Sequence, residues 1–212
     1  MSQIRGAVLE GCSAAGKTSV LKALKTLQAQ RDLERSVVIL GEHYSQALQK
    51  IDGEYRRLDE LEHRQLLIHR LEALEELRRW SERLGPGSLQ SRGVFFALER
   101  FHLNHRVAYD DRDTSWSEKI EQRLRQLNAT CFVLTISEAA IGDRLAYRLR
   151  SRGEAPDAES LDRACTDFRA EQRRLLGAAR ASTLPTVVIE SDDLDWARHA
   201  NDILDGLGSA GR

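Results

Sequence analysis

The sequence has almost no excess charge of either sign: 32 lysines and arginines stand against 33 aspartates and glutamates, a formal charge of −1 over 212 residues. That balance excludes a general electrostatic affinity for nucleic acid or an anionic membrane surface, so local basic clusters must be read as sites or as solvated faces. No apolar run approaches the roughly 20 residues of a membrane span, and the N-terminus passes straight into a strand pattern without a leader of basic and apolar parts. The expectation is a cytoplasmic protein. Cysteine is scarce as well: Cys12, Cys131 and Cys165 are far apart, odd in number and without ligand-like spacing, which argues against a disulfide framework and a zinc site. Internal repeats, low-complexity tracts and long linkers are also missing. A chain of this length suits one domain over 1–212, since domains of this size bury most of the surface their unfolded chains expose.

What is present is more specific. Gly11-Cys12-Ser13-Ala14-Ala15-Gly16-Lys17-Thr18 fills every specified position of G-x-x-x-x-G-K-[ST], a pattern expected by chance in such a chain roughly once in a hundred. Its neighbours are the ones the motif needs: Ile4 to Glu10 reads as a short buried strand and Thr18 to Gln28 as a helix. A nucleoside triphosphate such as ATP brings several negative charges that must be held without a dedicated cation at each oxygen. Backbone N–H groups across Gly11, Ser13, Ala14, Ala15, Gly16, Lys17, Thr18 and Ser19 supply that field, Lys17 reaches the β/γ-phosphates, and the Thr18 hydroxyl ligates Mg²⁺. Cys12 reads as a spacer within the loop rather than a reactive thiol.

Ser36 to Leu40, Gly93 to Leu98, Thr130 to Ile136 and Thr186 to Glu190 are further apolar runs, typical of parallel strands buried on both faces. Helical patterns separate them. Leu58 to Leu84 carries Leu67, Leu71, Leu74, Leu77 and Leu84 on one side and is stopped by Gly85-Pro86-Gly87. A helix follows Glu99-Arg100-Phe101-His102, and a second, with Ser115 and Glu118 as capping box, runs towards Asn128. Another from about Glu138 carries Arg144, Arg148, Arg150 and Arg152; then come Leu161 to Ala181 and a last helix capped by Asp192 and running through Leu204. The alternation predicts an α/β fold of three layers, a five-stranded parallel sheet with helices on both faces. Ligands then lie beyond the C-terminal strand ends, so Glu42, Glu99-Arg100, Ser137 and Glu190-Ser191-Asp192 are expected to ring the loop.

Three features bear on what happens to a bound triphosphate. Glu99 at the tip of the third strand pairs an acid able to hold Mg²⁺, directly or through water, with the Arg100 guanidinium, suited to an anionic substrate; the plain alternative is a surface ion pair. The arginines at 144, 148, 150 and 152 sit at helical spacing beside the polar stretch Gly153 to Asp157. They read as an Arg-rich lid over about 145–158 that stabilises charge and excludes water, or else as a solvated basic face. Glu42 stands where a carboxylate accepts a proton from a substrate hydroxyl, or where a loop glutamate reaches the metal's outer sphere. His43 and Tyr44 are candidates for a pocket lining, and Arg64 and Arg70 for reaching a substrate phosphate. His102 and His105 are three apart but have no third ligand, so a helix-face pair is the reading.

These residues together resemble the thymidylate kinase and deoxynucleoside kinase branch of the P-loop kinases. The likeness rests on Glu10-Gly11 opening the loop, on Glu99-Arg100 where that branch has D-R or E-R, and on Ser137 to Arg144 in place of its P-x-E-x-A-x-x-R segment. It spans nearly the whole chain and implies the P-loop NTPase fold. It also implies that Arg144 packs on the adenine, that Arg148 and Arg150 belong to the lid, and that Ser191 to Asp193, with Asp192, helps to hold the base. Gly41-Glu42-His43-Tyr44-Ser45 keeps the acid but loses the proline of the family's second-strand segment, and Phe101 to Asn104 and His105 replace its serine-rich run.

The expected function is an ATP-dependent phosphotransferase with Mg²⁺ that acts on a nucleoside, nucleotide or nucleoside-like small molecule. Lys17, Glu42, Glu99, Arg100, Arg148 and Arg150 are the candidate catalytic residues, with Thr18 and Glu99 at the metal. A kinase of an unusual metabolite or antibiotic, its pocket formed by the His-Tyr and Phe-His segments, differs in acceptor alone. A nucleotide-binding regulatory protein without transfer is the alternative class. A GTPase is disfavoured, because no N-K-x-D motif occurs and the one D-x-x-G, Asp205 to Gly208, lies in the C-terminal tail. The long leucine-bearing helix suits either core or a homodimer interface.

Overall fold

In the computed structural model, which describes residues 4–31, 36–84, 93–110, 113–154 and 156–209, everything hangs on one strand. β1 (Ile4–Gly11) is the middle of a five-stranded parallel sheet ordered β2-β5-β1-β6-β7, where β2 is Ser36–Leu40, β5 Val94–Glu99, β6 Ala129–Thr135 and β7 Thr186–Glu190. The order turns back at β1: its neighbours are β5, with Leu9 opposite Glu99, and β6, with Gly11 opposite Leu134. Such a reversal opens a crevice at the strand's C-terminal end, which is where the glycine loop begins.

Helices cover both faces, as the alternating pattern predicts. α1 (Lys17–Arg31) and α7 (Trp196–Ser209) pack on each other and on β1. A connected group of α2 (Glu60–Leu84), α3 (His102–Tyr109), α4 (Thr114–Gln126), α5 (Ile141–Ser151) and α6 (Ala158–Ala181) forms the other layer. Phe95, Phe96, Phe101, Phe132, Leu67, Leu71 and Leu74 are buried between the layers.

Several local expectations need correction. β2 and β7 are not buried on both faces; they are the sheet's two edges, and Val37 is 42% and Val188 52% exposed. A continuous apolar run does not say whether a strand has two neighbours or one. The cap of α4 is Asp113, whose side chain accepts from the Ser115 amide at 2.9 Å, so Ser115 is inside the helix rather than its cap. Likewise Asp195, accepting from the Arg198 amide at 2.9 Å, begins α7, while Asp192 accepts from the Ser137 amide at 3.0 Å. α5 starts at Ile141 because 137–140 forms a turn, Ala140 N–H to Ser137 O at 3.1 Å. The Gly85-Pro86-Gly87 stop lies outside the described residues.

Two further features follow local sequence rules. Asp59 and Glu62 cap α2 reciprocally, Glu62 N–H to Asp59 at 2.8 Å and Asp59 N–H to Glu62 at 2.9 Å. Asp52-Gly53, both at positive φ, turn a hairpin between β3 (Leu48–Ile51) and β4 (Glu54–Arg57), as that dipeptide does when two short extended runs flank it.

Candidate active site

The loop from Gly11 to Thr18 is shaped by three residues at positive φ: Gly11 (148°), Ala14 (71°) and Gly16 (88°). At Gly11 a side chain would stand 2.7 Å from the Leu134 carbonyl, and at Gly16 it would run into the Trp196 ring. These glycines therefore bring the backbone close to β6 on one side and to α7 on the other. Lys17 is buried and donates to its own loop, Nζ to the Cys12 carbonyl at 2.8 Å. Burial first, then the Arg100 guanidinium, pull its ammonium down to about 8 against the pull of Glu99 and Glu42. Burial pushes the Cys12 thiol up to about 12, so the loop cysteine is the inert spacer its position suggested.

Beyond the loop the strand tips converge. Thr18 Oγ1 donates to Glu99 Oε1 at 2.7 Å, and the Glu42 amide donates to Glu99 Oε2 at 3.2 Å, so Glu99 ties α1 to the short turn Glu42–Tyr44. Arg100 Nε donates to Glu42 Oε2 at 2.9 Å. Burial opposes the Glu42 charge, but Arg100, with Lys17 and Arg148 beyond, holds its carboxyl below the usual range and keeps it ionised.

Arg100 itself sits at φ 56°, a left-handed conformation that costs a non-glycine residue about 1–3 kcal/mol. Its neighbours impose that geometry. The Arg100 amide continues the ladder to Leu9 O at 2.9 Å, and the next turn is fixed by Glu10, whose carboxylate accepts from the amides of Phe101 (3.1 Å), Leu103 (2.9 Å) and Asn104 (3.3 Å). Glu10 thus caps α3 from inside the sheet, where burial raises its pKa. His102 lies between Glu10 and Glu121, at 3.6 Å and 3.5 Å.

A cavity of about 260 Å³ opens over the loop. It is lined by Ala14, Gly16, Lys17, Thr18 and Ser19 on the side of the glycine loop, by Glu42, and by Arg144, Tyr147, Arg148, Ser151 and Trp196 opposite. Arg144 packs over the Trp196 ring, its Cζ 5.3 Å from the centroid, and reaches Ser191 at 3.4 Å. The structure thereby brings Lys17, Thr18, Ser19, Glu42, Glu99, Arg100, Arg144 and Arg148 together. Gly11, Ser13 and Ala15 shape the loop behind them. Arg150 is exposed and does not line the cavity, and Asp192 is spent on Ser137.

Phe101, His102 and His105 are buried in the core rather than turned to a pocket. His105 instead meets His63: His63 Nε2–H donates to Ser45 O at 2.8 Å, which leaves its Nδ1 to accept from His105 Nδ1–H at 2.7 Å. No group of three His, Cys, Asp or Glu placed to hold a metal occurs among the described residues. Arg70 donates to Tyr44 O at 3.3 Å, whereas Arg64 is paired with Glu60 at 2.5 Å. The residues missed from sequence are Tyr147, Ser151 and Trp196. The first two lay in plain sight, on the helical stripe that Arg144 and Arg148 begin; nothing in the sequence places Trp196 there.

No family model matches the chain, and no curated protein matches its sequence. Solved structures do match. The YorR protein of Bacillus subtilis, solved in complex with phosphorylated GDP, has a TM-score of 0.59 at 15% identity, over 96% of this chain and 95% of that one. Thymidylate kinase of Ehrlichia chaffeensis has a TM-score of 0.50 at 15% identity, over 95% of this chain and 98% of that one. The chain shares with these structures the three-layer α/β fold with a phosphate loop after its central strand. At such identity the likeness speaks for architecture alone, and the chemistry has to come from this chain's own residues. No helix among the described residues is long and apolar enough to cross a membrane.

Proposed function

We propose that the chain is an ATP-dependent phosphotransferase that moves the γ-phosphoryl group, with Mg²⁺, to a nucleoside, a nucleotide or a nucleoside-like small molecule. The observation that carries this reading is the meeting of two pairs at one end of the cavity: Thr18 with Glu99 at 2.7 Å, and Arg100 with Glu42 at 2.9 Å. The first pair suits a hard cation. Thr18 spends its hydrogen on Glu99 and keeps both oxygen lone pairs, while Glu99 supplies charge behind it; magnesium favours such oxygen donors and retained waters. Thr18 and Glu99 would hold the ion, which when bound would neutralise charge on the β- and γ-oxygens.

In this reading the loop amides and Lys17 hold the triphosphate, and Lys17 leaves the Cys12 carbonyl to do so. The acceptor oxygen forms a bond to the γ-phosphorus as the bond to the β,γ-bridging oxygen breaks and ADP departs. Arg100 and Arg148 face the charge on the transferred group. With a hydroxyl acceptor, the proton passes to ionised Glu42. Arg150 acts only if α5 rotates or the lid over 145–158 closes. The acceptor wall would come from His43 and Tyr44, next to Glu42, and from Arg70, which contacts Tyr44, all outside the cavity lining, since Phe101, His102 and His105 are buried; such an aromatic and cationic wall would also suit an unusual metabolite.

Lys17→Ala is expected to abolish turnover in a coupled ATP assay, and full activity in that variant would overturn the assignment. Glu42→Gln is expected to lower kcat on hydroxyl acceptors by about 10²–10⁴-fold, and to leave phosphate acceptors, whose attacking oxygen carries no proton near pH 8, almost unchanged. Equal losses on both classes would remove Glu42 from the role of base.

A further inference from the structure

The cavity has a phosphate end, at Gly16 to Ser19, and a far end made of planar side chains. Trp196 opens α7, lies against Gly16 closely enough that no side chain fits there, and is covered by the Arg144 guanidinium at 5.3 Å from its centroid. Tyr147, 71% exposed, stands at the rim. The polar side chains of the adjoining loop are already engaged. Ser191 Oγ stands 3.0 Å from both Ala15 O and Thr135 O, which share its single hydrogen, and accepts from Arg144. Asp192 holds the Ser137 amide at 3.0 Å. Asp193 holds Arg198 and His199, and Asp195 holds the Arg198 amide.

We infer that Trp196 is the platform on which the donor nucleobase stacks, and that the site therefore accepts purine and pyrimidine triphosphates with little discrimination. The inference rests on the proposed function for the cavity being a nucleotide site and names the class of donor it takes. A ring gripped by its faces is recognised as a ring, because every base has a π-face. Reading one base against another needs directed donors and acceptors along its edge, and the loop side chains best placed for that are committed elsewhere. The 5.3 Å separation of Arg144 and Trp196 is too small for an intervening plane, which needs about 7 Å, twice the ~3.5 Å contact distance. Admitting a base thus displaces Arg144 from the indole; its 3.4 Å contacts to Ser191 are weak enough to yield. The Trp196 environment changes when a base binds and not when phosphates alone bind.

The test is intrinsic fluorescence, with the Trp196 contribution taken as the difference between the natural protein and Trp196→Phe. Non-hydrolysable analogues of ATP, GTP, CTP and UTP are titrated with Mg²⁺, and inorganic tripolyphosphate serves as the base-free probe. The expected result is quenching of Trp196 by all four analogues, with dissociation constants within about tenfold of one another, and none by tripolyphosphate even while it competes with them. Trp196→Ala is expected to weaken each analogue by about tenfold to a hundredfold, with tripolyphosphate competition unchanged, and Trp196→Phe to restore most of the affinity. Selectivity for one base beyond a hundredfold, quenching by tripolyphosphate, or equal weakening of tripolyphosphate in Trp196→Ala would overturn it. Because binding is the readout, a protein that binds all four yet transfers no phosphoryl group would remove the proposed function and leave this inference standing.

Discussion

At the scale of single residues, Lys17 is the group whose chemistry was most legible and whose state was least so. The motif placed it against the phosphates; its burial beside Arg100, which lowers its pKa to about 8, needs the folded chain. The sign of the consequence is definite. A triphosphate bound as proposed would restore the ammonium, so above pH 8 its binding is expected to draw a proton from solution, and affinity to fall by up to about tenfold per pH unit until the ordinary lysine range is reached. Titration calorimetry at pH 8.5 in buffers of different ionisation enthalpy would register that uptake, and buffer-independent heats would contradict it. Glu99 gives a second residue-scale outcome. Glu99→Gln can still accept from Thr18 but loses the charge behind the cation, so the Mg²⁺ concentration for half-maximal rate is expected to rise about 10–100-fold with metal-free nucleotide binding unchanged. Trp196 marks where sequence reading stops at this scale. A tryptophan 180 positions from Gly16 reaches it because α1 and α7 pack together, and no local spacing carries that information.

Elements were legible wherever periodicity decides them and illegible where neighbours do. The Leu67, Leu71, Leu74 stripe of α2 is buried as its spacing predicts, while the apolar runs of β2 and β7 do not reveal that these strands are the sheet's edges. Caps were misplaced by a few residues because several Asp and Ser stand near each start, and only geometry selects Asp113 or Asp195. The His63–His105 contact between α2 and α3 could not be foreseen at all, since 42 residues separate the two rings. It carries a consequence for pH. Burial, with His63, Arg64 and His102 nearby, lowers the His105 pKa to about 3, whereas an unfolded histidine titrates near 6.5. The depressed group favours the neutral folded state, so its contribution is complete above pH 6.5 and declines as pH falls towards 3. The urea midpoint is expected to drop between pH 7 and pH 5, and to drop less steeply in His105→Gln; parallel slopes would show that the pair does not sense pH.

The whole molecule follows from β1. Its two sheet neighbours come from distant parts of the chain, the reversal of strand order beside it makes the crevice, and the loop that leaves it meets the tips of β2, β5 and β6. The alternation of strands and helices made that architecture readable, and His43, Tyr44 and Arg70 were legible as candidates beside Glu42; that Phe101, His102 and His105 turn into the core was not, because it depends on the packing around them. One cooperative unit is expected, with a single transition in a thermal scan. Saturating Mg-nucleotide at a hundred times its dissociation constant is expected to raise the midpoint by about 5–10 °C, a shift that Lys17→Ala should erase; two separate transitions, only one of them shifted, would contradict the single domain. The most direct trial of the central claim is incubation with γ-labelled ATP and pooled nucleosides, nucleoside monophosphates and other small metabolites, followed by mass detection of whatever carries the label. A phosphorylated nucleoside-like product is expected from the natural protein and none from Lys17→Ala; label recovered only as ATP or inorganic phosphate, across the whole pool, would contradict the proposed phosphotransfer.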